Sequence, residues 1–178
     1  MHMNLLHDVD PGTKEEMNVI VEIPKGSHNK YEIDKKTGLI KLDRVLHSAQ
    51  DYPFDYGFVP QTLWDDGDAL DVVLLITYPL APGILVEARP IGIMHMVDGG
   101  EADEKVIAVA SGDPRYAHVK DIKEANPHLL KEIAHFFATY KQIQKKEVIV
   151  GDFEGQSVAF AAFERARKLY QQKDKTEK

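Results

Sequence analysis

Along the first two-thirds of this chain the apolar positions fall into short β segments separated by turn residues, and only towards the C-terminus do they recur at helical spacing. Asn18 to Ile23 reads as a first strand, stopped by Pro24 and the turn-forming Lys25-Gly26-Ser27. Lys30 to Ile33 and Leu39 to Leu46 flank Asp34-Lys35-Lys36-Thr37-Gly38, a hairpin turn in which Gly38 is free to take a positive φ. Further strands are predicted over Leu70 to Tyr78, Gly83 to Val97, Lys105 to Ser111 and Glu147 to Phe153, with Pro90 marking a break or an edge position. Asn126 can cap a helix and Pro127 can occupy its first turn, ahead of an apolar stripe of Leu130, Ile133, Phe137 and Tyr140. A second helix runs from about Gln156 to Leu169 and buries Ala162, Phe163, Ala166 and Leu169 or Tyr170. The pattern predicts a mostly β, α+β chain: a β-barrel or curled sheet with two packed helices.

Length and composition narrow this further. The 178 residues suit one compact domain over 1–178, with 171–178 polar enough to fray. A 43% hydrophobic and 29% charged composition is that of a chain able to fold around a core. No stretch is apolar enough to span a membrane, because the greasiest, Leu70 to Val86, is broken by Asp71, Pro79, Pro82 and Gly83. Met1 to Pro11 is too polar for the heart of a signal peptide, so a cytoplasmic location is expected. The absence of cysteine excludes disulfides and thiolate metal sites, so any metal must rest on oxygen or imidazole. With 22 Lys plus Arg against 29 Asp plus Glu, the net charge of −7 opposes general binding to nucleic acid or anionic membranes.

The chemistry concentrates in Asp65-Asp66-Gly67-Asp68-Ala69-Leu70-Asp71, an acidic loop directly before the apolar Val72 to Ile76. On extended chain, residues two apart face the same way at roughly 6.6 Å, so Asp66 and Asp68 are expected to converge while Asp71 enters from the strand end. Hard oxygen ligands in that number suit Mg²⁺ or Mn²⁺. An EF-hand is excluded, since counting from Asp66 puts Leu70 at the fifth position, Asp71 at the glycine position and Thr77 at the last. A second acidic loop, Asp98-Gly99-Gly100-Glu101-Ala102-Asp103-Glu104-Lys105, can add ligands to a shared site, as can Glu22 and Glu32. Lys30, Arg44, Tyr52, Tyr56, Lys105, Tyr140 and Lys141 supply ammonium, guanidinium and phenol groups of the kind that bind phosphate.

These residues carry a specific resemblance. Val21-Glu22-Ile23-Pro24, Lys30-Tyr31-Glu32-Ile33-Asp34, Asp43-Arg44, Tyr52-Pro53-Phe54-Asp55-Tyr56-Gly57-Phe58, the Asp66 to Asp71 loop, Arg89-Pro90-Ile91-Gly92, Ala134-His135-Phe136-Phe137 and Tyr140-Lys141 occur in the order found in soluble inorganic pyrophosphatases whose sites contain a D-x-D-x-x-D run. The resemblance covers about residues 18 to 165 and implies a five-stranded, OB-like barrel. It also implies hydrolysis of pyrophosphate to two phosphates with several Mg²⁺ ions, replaceable by Mn²⁺ or Zn²⁺, and Ca²⁺ is expected to inhibit because its larger radius and looser coordination spoil the bridging geometry. By matching position it assigns metal coordination to Asp66, Asp71, Asp98 and Asp103, with Glu22 serving a further ion through water. Asp68 would activate an attacking water that bridges two metals. Lys30, Arg44, Tyr56, Lys105, Tyr140 and Lys141 would contact phosphate, with Glu32 and Tyr52 completing the polar surroundings. Short chains of this type commonly form hexamers, and the helix bearing His135, Phe136 and Phe137 either presents a subunit contact or fills the monomer core. Ala69 departs from the pattern, because proline usually stands there, and a looser loop is expected. The competing readings are another metal-dependent phosphohydrolase and an OB-like module that binds phosphorylated ligands or nucleic acid without turnover. The presence of every carboxylate that the resemblance calls for weighs against the latter.

Overall fold

The computed structural model of the protein describes residues 3–177. Met1, His2 and Lys178, at the ends of the N-terminal segment and of the tail expected to fray, lie outside the described residues.

Two apolar runs well separated in sequence form the wall on which the rest is built. They become β5 (Asp71–Leu75) and β8 (Lys105–Ala110), which pair in parallel from Asp71 opposite Lys105 to Leu75 opposite Val109. Both are apolar at nearly every position because both of their faces are covered. Val72, Leu74, Val106 and Ala108 pack on one side with Ala159, Ala162, Phe163 and Ala166. Val73, Leu75, Ile107 and Val109 pack on the other with Ile133, Phe136, Phe137 and Tyr140. The covering residues come from α1 (Pro127–Thr139), with Tyr140 as its C-cap, and from α2 (Gln156–Glu177).

The wall closes into a ring through β1 (Met17–Ile23), β4 (Asp55–Phe58) and β6 (Leu85–Asp98). The strand order β1-β4-β5-β8-β6 returns to its start because the first residues of β6 pair with β1, which gives the expected five-stranded barrel. The remaining length of β6 carries β7 (Glu101–Ala102) and β9 (Val148–Gly155) outside the ring, while β2 (Asn29–Ile33) and β3 (Ile40–Val45) form a separate hairpin. The turn of that hairpin is closed by Gly38 N–H donating to Asp34 O at 2.7 Å. Pro90 falls at a register shift between Pro90 and Gly92 against β8, where a residue without an N–H can be tolerated.

Three elements differ from the sequence expectation: the short β7 inside the second acidic loop, β4 and the second helix. β4 was not expected as a strand, because prolines and a glycine crowd its surroundings. All four of its residues are buried and it pairs on both sides, so tertiary burial overrides weak local propensity. The second helix continues past Leu169 to Glu177. In α1, Asn126 caps as expected, its Oδ1 accepting from His128 N–H at 2.9 Å. Phe136 and Phe137 fill the core, whereas His135 is exposed.

Candidate active site

The ends of β5 and β8 bring the acidic loops together. Asp71 is the first residue of β5, Lys105 the first of β8, and Asp103 lies two residues before Lys105. Asp66 reaches the same point from the loop ahead of β5, so that carboxylate oxygens of Asp66, Asp71 and Asp103 all lie within 4.8 Å of one another. Three hard oxygen donors at that spacing fit a divalent cation, whose charge would offset their mutual repulsion.

The expected convergence of Asp66 with Asp68 does not occur. Gly67 takes a φ of +82°, which turns the chain between them, so the loop is not extended and Asp68 does not join the carboxylate cluster that Asp66 enters. The Asp68 backbone N–H donates to Asp66 Oδ1 at 3.0 Å, while its side chain, 59% exposed, pairs with Lys35. Asp98 and Glu22 also stay outside the three-carboxylate cluster. Asp98 pairs with Lys141, and Glu22 accepts from the Ile33 backbone N–H at 2.6 Å.

All of these groups share one cleft of about 620 Å³. Of the residues singled out by the sequence, Glu22, Lys30, Glu32, Tyr52, Tyr56, Asp66, Asp68, Asp71, Asp98, Asp103, Lys105, Tyr140 and Lys141 line it. Arg44 does not; it lies opposite Lys30 in the β2–β3 hairpin and pairs with Asp43. Lys35, Lys36 and Lys41 line the cleft although the sequence assigned them no role there. The signal was the adjacent Lys35-Lys36 pair, which as local sequence reads simply as a charged turn.

Burial controls the electrostatics. It pushes the Asp66 carboxyl up to about 7, opposed by the Asp68 backbone N–H and reinforced by Asp71 and Asp103. It raises Asp71 against the pull of Lys105, and it raises Glu22 well above the usual carboxylate range with help from Asp71. Lys105 is 3% exposed at its side chain and donates to Asp71 Oδ2 at 2.6 Å and to Asp103. Burial alone would lower its ammonium, but the two carboxylates more than offset that and hold it above its ordinary value. Lys141 is lowered by burial against its pairing with Asp98. Tyr52, Tyr56 and Tyr140 are all raised, chiefly by burial, so their hydroxyls remain protonated donors at neutral pH. They stand in an aromatic stack that fixes their direction, with Tyr52 4.7 Å from Phe136 and Phe136 5.1 Å from Tyr140.

A cleft whose clustered carboxylates could hold a cation and whose ammonium and phenol groups can donate to an anion suits a small polyanion. Residues 19–171 match the family described as Inorganic pyrophosphatase. The chain belongs to that family. Its reaction is hydrolysis of inorganic pyrophosphate, and as an enzyme it is an inorganic diphosphatase. This pyrophosphatase is 51% identical over 166 residues to soluble inorganic pyrophosphatase 1 of Arabidopsis thaliana, covering 92% of this chain and 78% of that protein. It is 50% identical over 168 residues to the soluble inorganic pyrophosphatase of Zea mays. The crystal structure of the Thermus thermophilus inorganic pyrophosphatase superposes with a TM-score of 0.91 at 42% identity, covering 95% of this chain and 99% of that one. The Helicobacter pylori enzyme gives a TM-score of 0.88 at 41% identity, covering 92% and 98%. Among the described residues no helix is long and apolar enough to cross a membrane.

Proposed function

We propose that this pyrophosphatase works with Mg²⁺ held by Asp66, Asp71 and Asp103, and that Asp68 takes the proton of the attacking water. The observation that carries this reading is the convergence of three carboxylates from two loops within 4.8 Å, in a cleft that Asp68 also lines without joining them. Bound divalent cations supply the positive charge that a polyanion needs and make water more acidic. Asp68 lies outside the three-carboxylate cluster, lines the same cleft and is 59% exposed, so its carboxylate is open to a water there. Lys30, Lys105 and Lys141 offer point charges to phosphate oxygens, Arg44 a planar fork, and Tyr56 and Tyr140 protonated hydroxyls. Asp98 and Glu22 serve further cations, Asp98 by exchanging its Lys141 partner, while Glu32 and Tyr52 complete the polar lining.

Mn²⁺ or Zn²⁺ can replace Mg²⁺ on the same oxygen donors, and Ca²⁺ inhibits because its larger, looser coordination does not match their spacing. The remaining parts of the reading rest on the sequence and the resemblance: one domain over 1–178, a cytoplasmic location, a closed oligomer, the hexamer, and no nucleic-acid partner given the −7 net charge. The deciding experiment measures phosphate release and calorimetric binding of pyrophosphate with Mg²⁺ and in chelator. Turnover and tight binding should both require the metal. Tight binding of metal-free pyrophosphate would show that the cations of the cleft suffice alone and would overturn the role given to the carboxylates.

A further inference from the structure

The ligand carboxylates come from two separate loops, so their spacing depends on whatever ties those loops together. At the strand ends this is the pairing of β5 with β8, which places Asp71 beside Lys105. Asp66 lies five residues upstream of Asp71, beyond the reach of that ladder, and needs another restraint. Trp64, the single tryptophan of the chain and only 8% exposed, stands where that restraint is required. Its Nε1–H donates to Glu104 Oε2 at 2.7 Å, and Glu104 directly follows Asp103. The main chain of Trp64 also closes the acidic loop itself, donating to Asp68 O at 2.7 Å and accepting from Gly67 N–H at 3.0 Å.

Both partners of this bond are held from behind. The Arg165 guanidinium of α2 lies 4.6 Å from the centre of the Trp64 ring and donates to Asp65 Oδ1 at 2.6 Å, which fixes the indole and the start of the loop together. The other oxygen of Glu104, Oε1, is 3.6 Å from His95 Nδ1. One hydrogen bond therefore joins a residue two before Asp66 to the residue after Asp103, and each end is braced by a different element.

We propose that the Trp64–Glu104 hydrogen bond is a latch that sets the separation of the two metal-ligating loops, making Trp64 and Glu104 positioning residues for cation binding. The inference rests on the reading that Asp66, Asp71 and Asp103 hold the cation. Groups that orient ligands without touching the metal typically change its affinity by about 10- to 100-fold when removed. The latch also gives the Ala69 loop, which lacks the stiffening ring of a proline, a restraint from outside itself.

Trp64→Phe is the informative variant, since it keeps the buried ring and its stacking under Arg165 but removes the N–H. Mg²⁺ affinity is measured by calorimetry for wild type, Trp64→Phe, Glu104→Leu, the double variant and Asp66→Asn, each first shown by denaturant unfolding in chelator to retain a cooperative fold. Trp64→Phe should weaken Mg²⁺ binding by about 10- to 100-fold. The double variant should be no weaker than the more affected single, because both substitutions cut the same bond. Wild-type affinity in Trp64→Phe together with weakened binding in Asp66→Asn overturns the latch and leaves the site reading intact, as does a double variant whose losses simply add. Unchanged affinity in Asp66→Asn overturns the site reading and the latch with it.

Discussion

Lys105 and Asp71 stand opposite each other at the first positions of two parallel strands, and the Lys105 ammonium donates to Asp71 Oδ2 at 2.6 Å. The same ammonium reaches Asp103, so one buried cation neutralises two of the three clustered carboxylates. In a metal-free protein this is what allows those acidic groups to lie so close together.

Replacing Lys105 by Met therefore leaves two partly buried carboxylates without their shared partner. Breaking such an arrangement costs about 3 kcal/mol or more. Urea unfolding of Lys105→Met in chelator should show that loss, and saturating Mg²⁺ should recover much of it by restoring positive charge at the same place. An equal loss with and without Mg²⁺ would mean that Lys105 and the cation do not act on the same carboxylates.

Asparagine substitution separates the roles of Asp66 and Asp68. For Asp66→Asn, steady-state kinetics across a range of Mg²⁺ should show activity that partly returns as the metal is raised, because a charge has been lost from the cation site. For Asp68→Asn the fall should be on the order of 10²- to 10⁴-fold, with little help from Mg²⁺ and partial recovery at higher pH, where hydroxide replaces the missing base. Full recovery of Asp68→Asn with Mg²⁺ at constant pH would make Asp68 a ligand.

Gly57 of β4 pairs with Val21 of β1 so closely that an added Cβ would stand 2.0 Å from the Ile20 carbonyl oxygen. Backbone atoms at that distance cannot yield without separating the two strands. Gly57→Ala should cost more than about 3 kcal/mol and open the barrel between β1 and β4. Hydrogen exchange should show lost protection along that pair, and a variant as stable as wild type would contradict the register.

Asp121 accepts from the backbone N–H of Gln156, the first residue of α2, at 3.0 Å and from that of Lys123 at 3.2 Å. These bonds, Gln156 foremost, hold its carboxyl below the usual value of 3.8. A depressed folded pKa contributes stability that is fully present above the unfolded value and is lost as pH falls through the lower folded one. Asp121→Ala should thus be about 1 kcal/mol less stable than wild type at neutral pH, the usual cost of a lost cap. The gap should close as the pH drops below about 3.8, and urea titrations across that range test the trend. A gap independent of pH would show that the charge of Asp121 is not what caps the helix.

The strands and helices that could be recognised in advance are those whose stabilising contacts are local or whose composition reveals their surroundings. Asn126 and Pro127 mark the start of α1 because cap and first turn are adjacent in sequence. The unbroken apolar run of β5 reveals a strand covered on both faces before the covering helices are known. β4 escaped notice because its four residues owe their conformation to neighbours on both sides, β1 and β5, and not to their own propensities. Lys35 escaped as a cleft residue for a similar reason: its partner Asp68 is 33 residues further on, reached only when the hairpin folds over the acidic loop.

The linear chain carries the inventory of the site, since the carboxylates, lysines and tyrosines occur as recognisable blocks in a fixed order. It also determined the β-rich body with two late helices, because alternation, turn residues and caps act over only a few positions. Which carboxylates meet was decided only in three dimensions. Asp66 joins Asp71 and Asp103 and parts from Asp68, its near neighbour, because Gly67 turns the chain and because β5 pairs in parallel with β8 across a long stretch of intervening sequence. That pairing is selected by burying both faces of the two strands at once, a gain that belongs to the whole barrel and its helices and leaves no trace in the spacing of the acidic residues themselves.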